Sequence, residues 1–396
     1  MKLSAAILAI TLLLNAAAAK TFKVVHTFTG KDGSSPNGDL VRDVEGNFYG
    51  TTQLGGASNR GVIFKLDPSG EETVLYSFTG ESDGGIPIGR LLHHGGSLYG
   101  VTSLGGDSTC KCGTVFKLDP SGSLTVLHQF KGGKDGAQNQ AQPELGLVLI
   151  KDALYGGASF GGVTGCDGNL GCGVIFKVTQ TGKERVLYRF TGEATGAFPQ
   201  DLISDADGNI YGATGGSYEH GNAGTLFKMD TTGKLTTLYT FPGGASGDSP
   251  RWRLIRSEEG FFHGVTQFGG DSTCDLGSSG CGVVFRVNAA GKERVLHDFG
   301  KHPGAGEDPS GGLLDIAGNF YGATFYGGIK NSTCSLGCGV IYSVRNDGKY
   351  SVVYRFTGGA DGWLPTGGLS DDGAGSLLGT ALLGGSGSGV IFKIIP

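Results

Sequence analysis

Few side chains in this sequence have a type and spacing suited to chemistry, and those few interrupt an otherwise regular pattern. Arg251-Trp252-Arg253 follows Pro250 at a place where the equivalent stretches carry small or polar residues, and Trp363 stands two residues before Pro365. An indole offers a flat apolar face on which a sugar ring stacks, and guanidinium groups make paired hydrogen bonds to carboxylates. The expected chemistry is recognition of a glycan, a carboxylated one included, with the two Trp residues flanking one site. Asp32, Asp83 and Asp361 each lie four residues before a Pro. They read either as an acidic arc on the same face or as caps of their own loops. His93-His94 and His263 read as structural, and Lys65, Lys117, Lys177, Lys228, Arg286 and Lys393 as a solvated series. There is no G-x-S-x-G elbow, no H-E-x-x-H and no phosphate-binding loop. No catalytic residue, metal ligand or cofactor is assigned.

The elements that must position these residues are written seven times. One series is Tyr49-Gly50, Tyr99-Gly100, Tyr155-Gly156, Tyr211-Gly212, His263-Gly264, Tyr321-Gly322 and Leu378-Gly379. A strand aromatic follows at Phe64, Phe116, Phe176, Phe227, Phe285, Tyr342 and Phe392. A second aromatic strand ends at Phe28, Phe78, Phe130, Phe190, Phe241, Phe299 and Phe356, and a Pro follows at Pro36, Pro87, Pro143, Pro199, Pro250, Pro309 and Pro365. Residues 20–396 divided by seven give about 54 per unit, the size of a four-stranded blade and about twice that of a β-helix coil. The phase adds closure. The chain opens with an aromatic strand alone, around Phe22 to Phe28, and its last unit lacks that strand. The reading is an all-β, seven-bladed β-propeller with four-stranded blades, its ring closed by the N-terminal strand completing the C-terminal blade.

Within a blade the Pro-to-Leu segment is expected innermost (Leu40, Leu91, Leu147, Leu202, Leu254, Leu313, Leu369) and the Val-Leu-Tyr-x-Phe strand outermost. The Gly of Tyr-Gly is expected to let crowded blades approach one another. Tight D-x-x-G turns, such as Asp43-Val-Glu-Gly46, line one face, where Asp caps and Gly accepts positive φ. The longer, variable loops, including 132–143 and 269–281, line the other face. Long loops on a rigid scaffold are where binding residues concentrate, so the ligand site is expected there, over the central channel.

Composition narrows the setting. Gly is 77 of 396 residues without a collagen period, and the net charge of −5 is spread out, which argues against a nucleic-acid protein. A positive start at Lys2, an apolar run and Ala17-Ala18-Ala19 read as a secretory signal peptide over 1–19, leaving one domain over 20–396. No second apolar run is long enough to span a bilayer. Eight Cys fall as local couples, Cys110/Cys112, Cys166/Cys172, Cys274/Cys281 and Cys334/Cys338. In an exported chain these read as disulfides that stiffen one type of long loop, with bridging between repeats and zinc as alternatives.

Three segments, 74–80 (VLYSFTG), 46–52 (GNFYGTT) and 61–67 (GVIFKLD), together resemble the GloVer (Gloeo-Verruco) tandem repeat of exported bacterial proteins. The likeness spans residues 22–396. It implies a bacterial, secreted or periplasmic setting and carries over no activity. Members often end in surface-anchoring tails, and the lack of one here favours release or periplasmic retention. The leading functional reading is a non-catalytic, monomeric binding module whose long-loop face recognises a glycan or protein, with no cofactor, nucleic acid or membrane span. A carbohydrate-active hydrolase or lyase at the channel mouth is the alternative, and a structural envelope component is a third.

Overall fold

In a computed structural model, the structure describes residues 21–133, 146–166, 168, 170–217, 221–274, 279–301 and 304–395. The expected leader over 1–19, Pro143 and most of the 132–143 loop lie outside them. The described residues form seven antiparallel sheets, each a blade. Blade 2 is typical: Gly85–His94 pairs with Ser97–Leu104, which pairs with Thr114–Leu118, which pairs with Leu124–Gln129. In blade 1 the inner strand is split into Ser34–Pro36 and Val41–Arg42, both paired to Phe48–Leu54. Blade 7 supplies three consecutive strands, Trp363–Asp371, Leu377–Leu383 and Val390–Ile395, and takes its fourth from Thr21–Thr27. That pairing runs Thr21↔Ile395 to Thr27↔Val390, so the ring closes through backbone hydrogen bonds and no sheet edge is left at the seam.

The two aromatic series are the mortar between blades. The Phe ending each outer strand meets the third-strand aromatic of the next blade in all seven seams, with ring centroids 5.0–5.5 Å apart. Edge-to-face rings at this distance contribute about 0.5–1.5 kcal/mol each beyond their burial. A second tie is made by the backbone. Ser35, Ile86, Phe198, Ser249, Asp308 and Leu364, each just before a blade's Pro, have left-handed φ of 52–58°. Their N–H groups donate to carbonyls of the preceding blade at 2.8–3.2 Å. For Phe198, Asp308 and Leu364 the acceptor is the carbonyl of Cys172, Cys281 and Cys338. The four disulfides are Cys110–Cys112, Cys166–Cys172, Cys274–Cys281 and Cys334–Cys338, at Cα–Cα distances of 5.1–5.9 Å. Each joins the two members of one couple, and three of them brace the loops that hold the next blade.

One expectation is extended and one needs correcting. The loop staple expected at Cys110–Cys112 is present, and it also reaches the core. Cys112 is fully buried and packs in a core that blades 2 and 3 share, with Val115, Phe130 and Leu147. The reason is local. Cys112 forms a parallel bridge with Gly105, and the N–H of Gly113 donates to Gly105 O at 3.0 Å. The loop has thus rejoined the sheet by Cys112, and the side chain enters the seam between blades. The Cys110–Cys112 bridge therefore ties a loop to the core, where a buried sulfur packs as a small apolar group.

The second concerns the Gly of Tyr-Gly, which does not serve contacts between blades. A Cβ on Gly100 would lie 2.5 Å from Phe116 Cζ and 2.9 Å from Leu91 Cδ2, both in its own blade. Gly100 faces Phe116 across the ladder. The Gly opens a slot for the Phe ring, and that ring reaches through it toward the inner Leu.

Candidate functional site

The inner strands bulge where they near the axis. Register slips between Ile88 and Leu92, Arg251 and Ile255, Ser310 and Leu314, and Thr366 and Ser370. A bulge leaves residues unpaired and re-aims their side chains. At the crest, two residues after the Pro, blades 1, 2, 6 and 7 carry Gly38, Gly89, Gly311 and Gly367, with φ of 68–102°. Neighbouring crests touch: a Cβ on Gly38 would lie 2.3 Å from Gly89 O, and one on Gly367 2.5 Å from Gly38 O. Blade 5 places Trp252 there, at φ 67°. A bulky residue in this region costs of order 1–3 kcal/mol and persists only where its surroundings hold it.

Those surroundings come from blade 6. Trp252 Nε1 donates to Pro309 O at 3.1 Å, and its ring lies 6.3 Å from Phe325. Arg251 lies over the indole at 5.5 Å and donates from Nη1 to Gln267 Oε1 at 2.7 Å. Asp308 faces Arg251; burial pushes its carboxyl up to about 6, opposed by that guanidinium and by Gln267. Trp252 and both arginines remain half-buried, so this corner still meets solvent.

Trp252 also lines a narrow axial cavity of about 30 Å³ on which the seven blades converge. The residue before each inner Leu lies at this level: Asp39, Arg90, Gly146, Asp201, Arg253, Gly312 and Gly368. Arg253 Nη2 lies 3.5 Å from Asp39 Oδ2, and Asp39 also accepts from Gly368 N. Asp201 is 5% exposed and takes one backbone hydrogen bond, from Leu202 N at 2.8 Å. Burial raises its carboxyl to about 6, against the pull of Arg90 and Arg253. Sequence reading found Arg253 but missed Asp39, Arg90 and Asp201. The available signal was their departure from Gly at an aligned position.

The other expected site residues fall elsewhere. Asp32, Asp83 and Asp361 each bind the backbone N–H and hydroxyl of a nearby Thr: Thr29, Thr79 and Thr357. Asp83 and Asp361 also accept from Tyr76 and Tyr354 on the preceding outer strand. Trp363 packs against the core shared by blades 6 and 7, and no ring contact joins it to Trp252 among the described residues. His263 is 1% exposed, bonds Asn346 Oδ1 through Nε2 at 3.1 Å and stacks on Phe320. It thereby repeats the bond from Tyr99 to Gln180 on the next blade.

Among the described residues, His26, Asp32 and Glu72 bring one donor atom each within 4.8 Å of one another, a set that could hold a divalent cation. His26 Nε2 and Asp32 Oδ2 already satisfy each other at 3.0 Å. Burial, with Asp32 nearby, raises Glu72 to about 7.

The Gloeobacter/Verrucomicrobia repeat matches residues 12–166 and 113–275, and the chain belongs to that family. No curated protein matches it. Among solved structures, it resembles the extracellular domain of BT4673 from B. thetaiotaomicron, assigned as a hybrid two-component system. The identity is 13% and the TM-score 0.57, over 96% of this chain and 42% of that one. The extracellular domain of a second such system, BT3049, gives 12% and 0.57, over 95% and 41%. The chain thus spans about two fifths of the length of these neighbours, and the likeness is one of fold. Among the described residues, no helix is long and apolar enough to cross a membrane.

Proposed function

We propose that this propeller is an exported, non-catalytic binding module that recognises a glycan at the axial mouth of its long-loop face, through Trp252, Arg251 and Arg253. One observation carries the reading. Trp252 occupies a left-handed crest that four other blades give to glycine, and strained backbone of this kind concentrates where function compensates for it. The result is a half-exposed indole beneath one guanidinium and beside another. Ring stacking with flanking charge-assisted donors suits a sugar with polar or acidic substituents. Four disulfides support an oxidising compartment.

The test is a panel of neutral and acidic oligosaccharides offered to the full chain and to Trp252→Ala and Trp363→Ala. Trp252→Ala should weaken the best binder at least about tenfold, the scale of one lost stacking partner. Trp363→Ala should change it little, since that ring packs on the core of blades 6 and 7 and makes no ring contact with Trp252 among the described residues. Undiminished binding by Trp252→Ala would remove the proposed site.

A further inference from the structure

At the level before the inner Leu, three blades show what the fold alone requires, since Gly146, Gly312 and Gly368 close the ring there without side chains. The other four place charges, in the order Asp39, Arg90, then Asp201, Arg253. Bringing charges into a closed axis is costly unless they are fully paired, and here the pairing is incomplete. Arg90 Nε and Arg253 Nε are buried with no hydrogen-bond partner among the described residues. Gly146 keeps space between two of the groups: a Cβ there would lie 3.3 Å from Asp201 Oδ1 and 3.4 Å from Arg90 Nε. Arg90 and Arg253 reach the axis from blades three apart in a ring of seven, nearly opposite one another. The cavity of about 30 Å³ is too small for a sugar ring, yet it has room for a group the size of one or two waters.

We infer that this axial pocket receives the carboxylate of an acidic sugar, held between Arg90 and Arg253, while the ring it belongs to remains above, against Trp252. The inference rests on the glycan reading of the mouth and narrows it to uronic-acid glycans. Two planar guanidiniums match a carboxylate's geometry, and their unpaired Nε–H groups are the donors it would take. Asp201 is the internal competitor. The charged groups facing it are Arg90, Arg253 and Asp39, and Asp39 is already paired to Arg253 and to Gly368 N. When Asp201 takes up a proton, its competing charge beside Arg90 and Arg253 is lost while the Asp39 pair stays in place, so affinity should rise as pH falls through the Asp201 pKa of about 6.

The experiment is calorimetric titration of the full chain with α-1,4-linked trigalacturonate, its methyl ester and a peptide bearing a free C-terminus. The acid should bind at least about tenfold tighter than the ester, and Arg90→Gln should abolish that difference. Asp201→Asn should tighten acid binding several-fold at neutral pH. Equal binding of acid and ester by the wild type would overturn the axial anchor and leave the mouth reading standing. Binding of neither sugar, or of the peptide alone, would also overturn it, while the oligosaccharide panel with Trp252→Ala decides the wider reading separately. The acid-to-ester comparison needs no variant, so a misfolded Arg90→Gln would not rescue the idea.

Discussion

Trp252 and the residue beside it, Arg253, show why a site can be spelled out by departures from a pattern. Four blades put glycine at the crest, and the fifth accepts backbone strain there to display an indole. The strain makes a prediction opposite to that for an ordinary Trp. A buried Trp→Ala change costs about 3–5 kcal/mol, whereas Trp252→Gly relieves the left-handed backbone while losing packing and one hydrogen bond, so its net cost in chemical denaturation should stay within about 1 kcal/mol. A loss on the scale of a core Trp would mean that the residue is structural. The site was half legible in the sequence for a physical reason. Trp252 and its arginines stand out by residue type. Asp39, Arg90 and Asp201 are ordinary surface residues by type, and only the closure of the ring turns their positions inward. Asp32, Asp83 and Asp361 were periodic because each repeat needs the same Thr-capping turn. Cys112 was legible as a disulfide partner but not as a core residue, because its burial depends on the neighbouring blade.

At the scale of elements, the seams between blades hold the molecule together, and their aromatic contacts were written in the sequence as two aligned series. Phe190 is fully buried and meets Phe227 across one seam at 5.5 Å. Phe190→Ala should cost about 3–5 kcal/mol in denaturant unfolding; a change below about 1 kcal/mol would show that the seams are not what binds blade to blade. The seam between blades 7 and 1 should also respond to pH. Glu72 is pushed up to about 7, above its ordinary value of 4.5, chiefly by burial. A group raised on folding contributes stability that is complete below the unfolded pKa and lost as pH rises through the folded one. Glu72→Gln should therefore narrow the difference in melting temperature between about pH 5 and about pH 8. An unchanged difference would place the titration elsewhere. What the sequence could not show was the purpose of the Tyr-Gly glycine, because a slot for a ring from the next strand and a close approach between blades demand the same residue.

For the molecule as a whole, the permuted repeat was the clearest signal in the sequence. A strand at the start that completes the last unit makes sense only in a circle, and the Thr21–Thr27 to Val390–Ile395 ladder closes it. Lys23 and Lys393 are directly paired across that ladder, at a spacing that fits a bridge. The double variant Lys23→Cys, Lys393→Cys should form a new disulfide on air oxidation, seen by mass spectrometry of peptides; free thiols at both positions would contradict the register. Closure also makes the axis a shared site, since no single blade contains it. The most direct test of that idea is hydrogen–deuterium exchange on the full chain with and without saturating trigalacturonate. Exchange should slow in the inner-strand segments around Arg90, Asp201 and residues 251–253, with the D-x-x-G turn face unchanged. Protection confined to the turn face, or to the outer strands, would contradict a shared axial site.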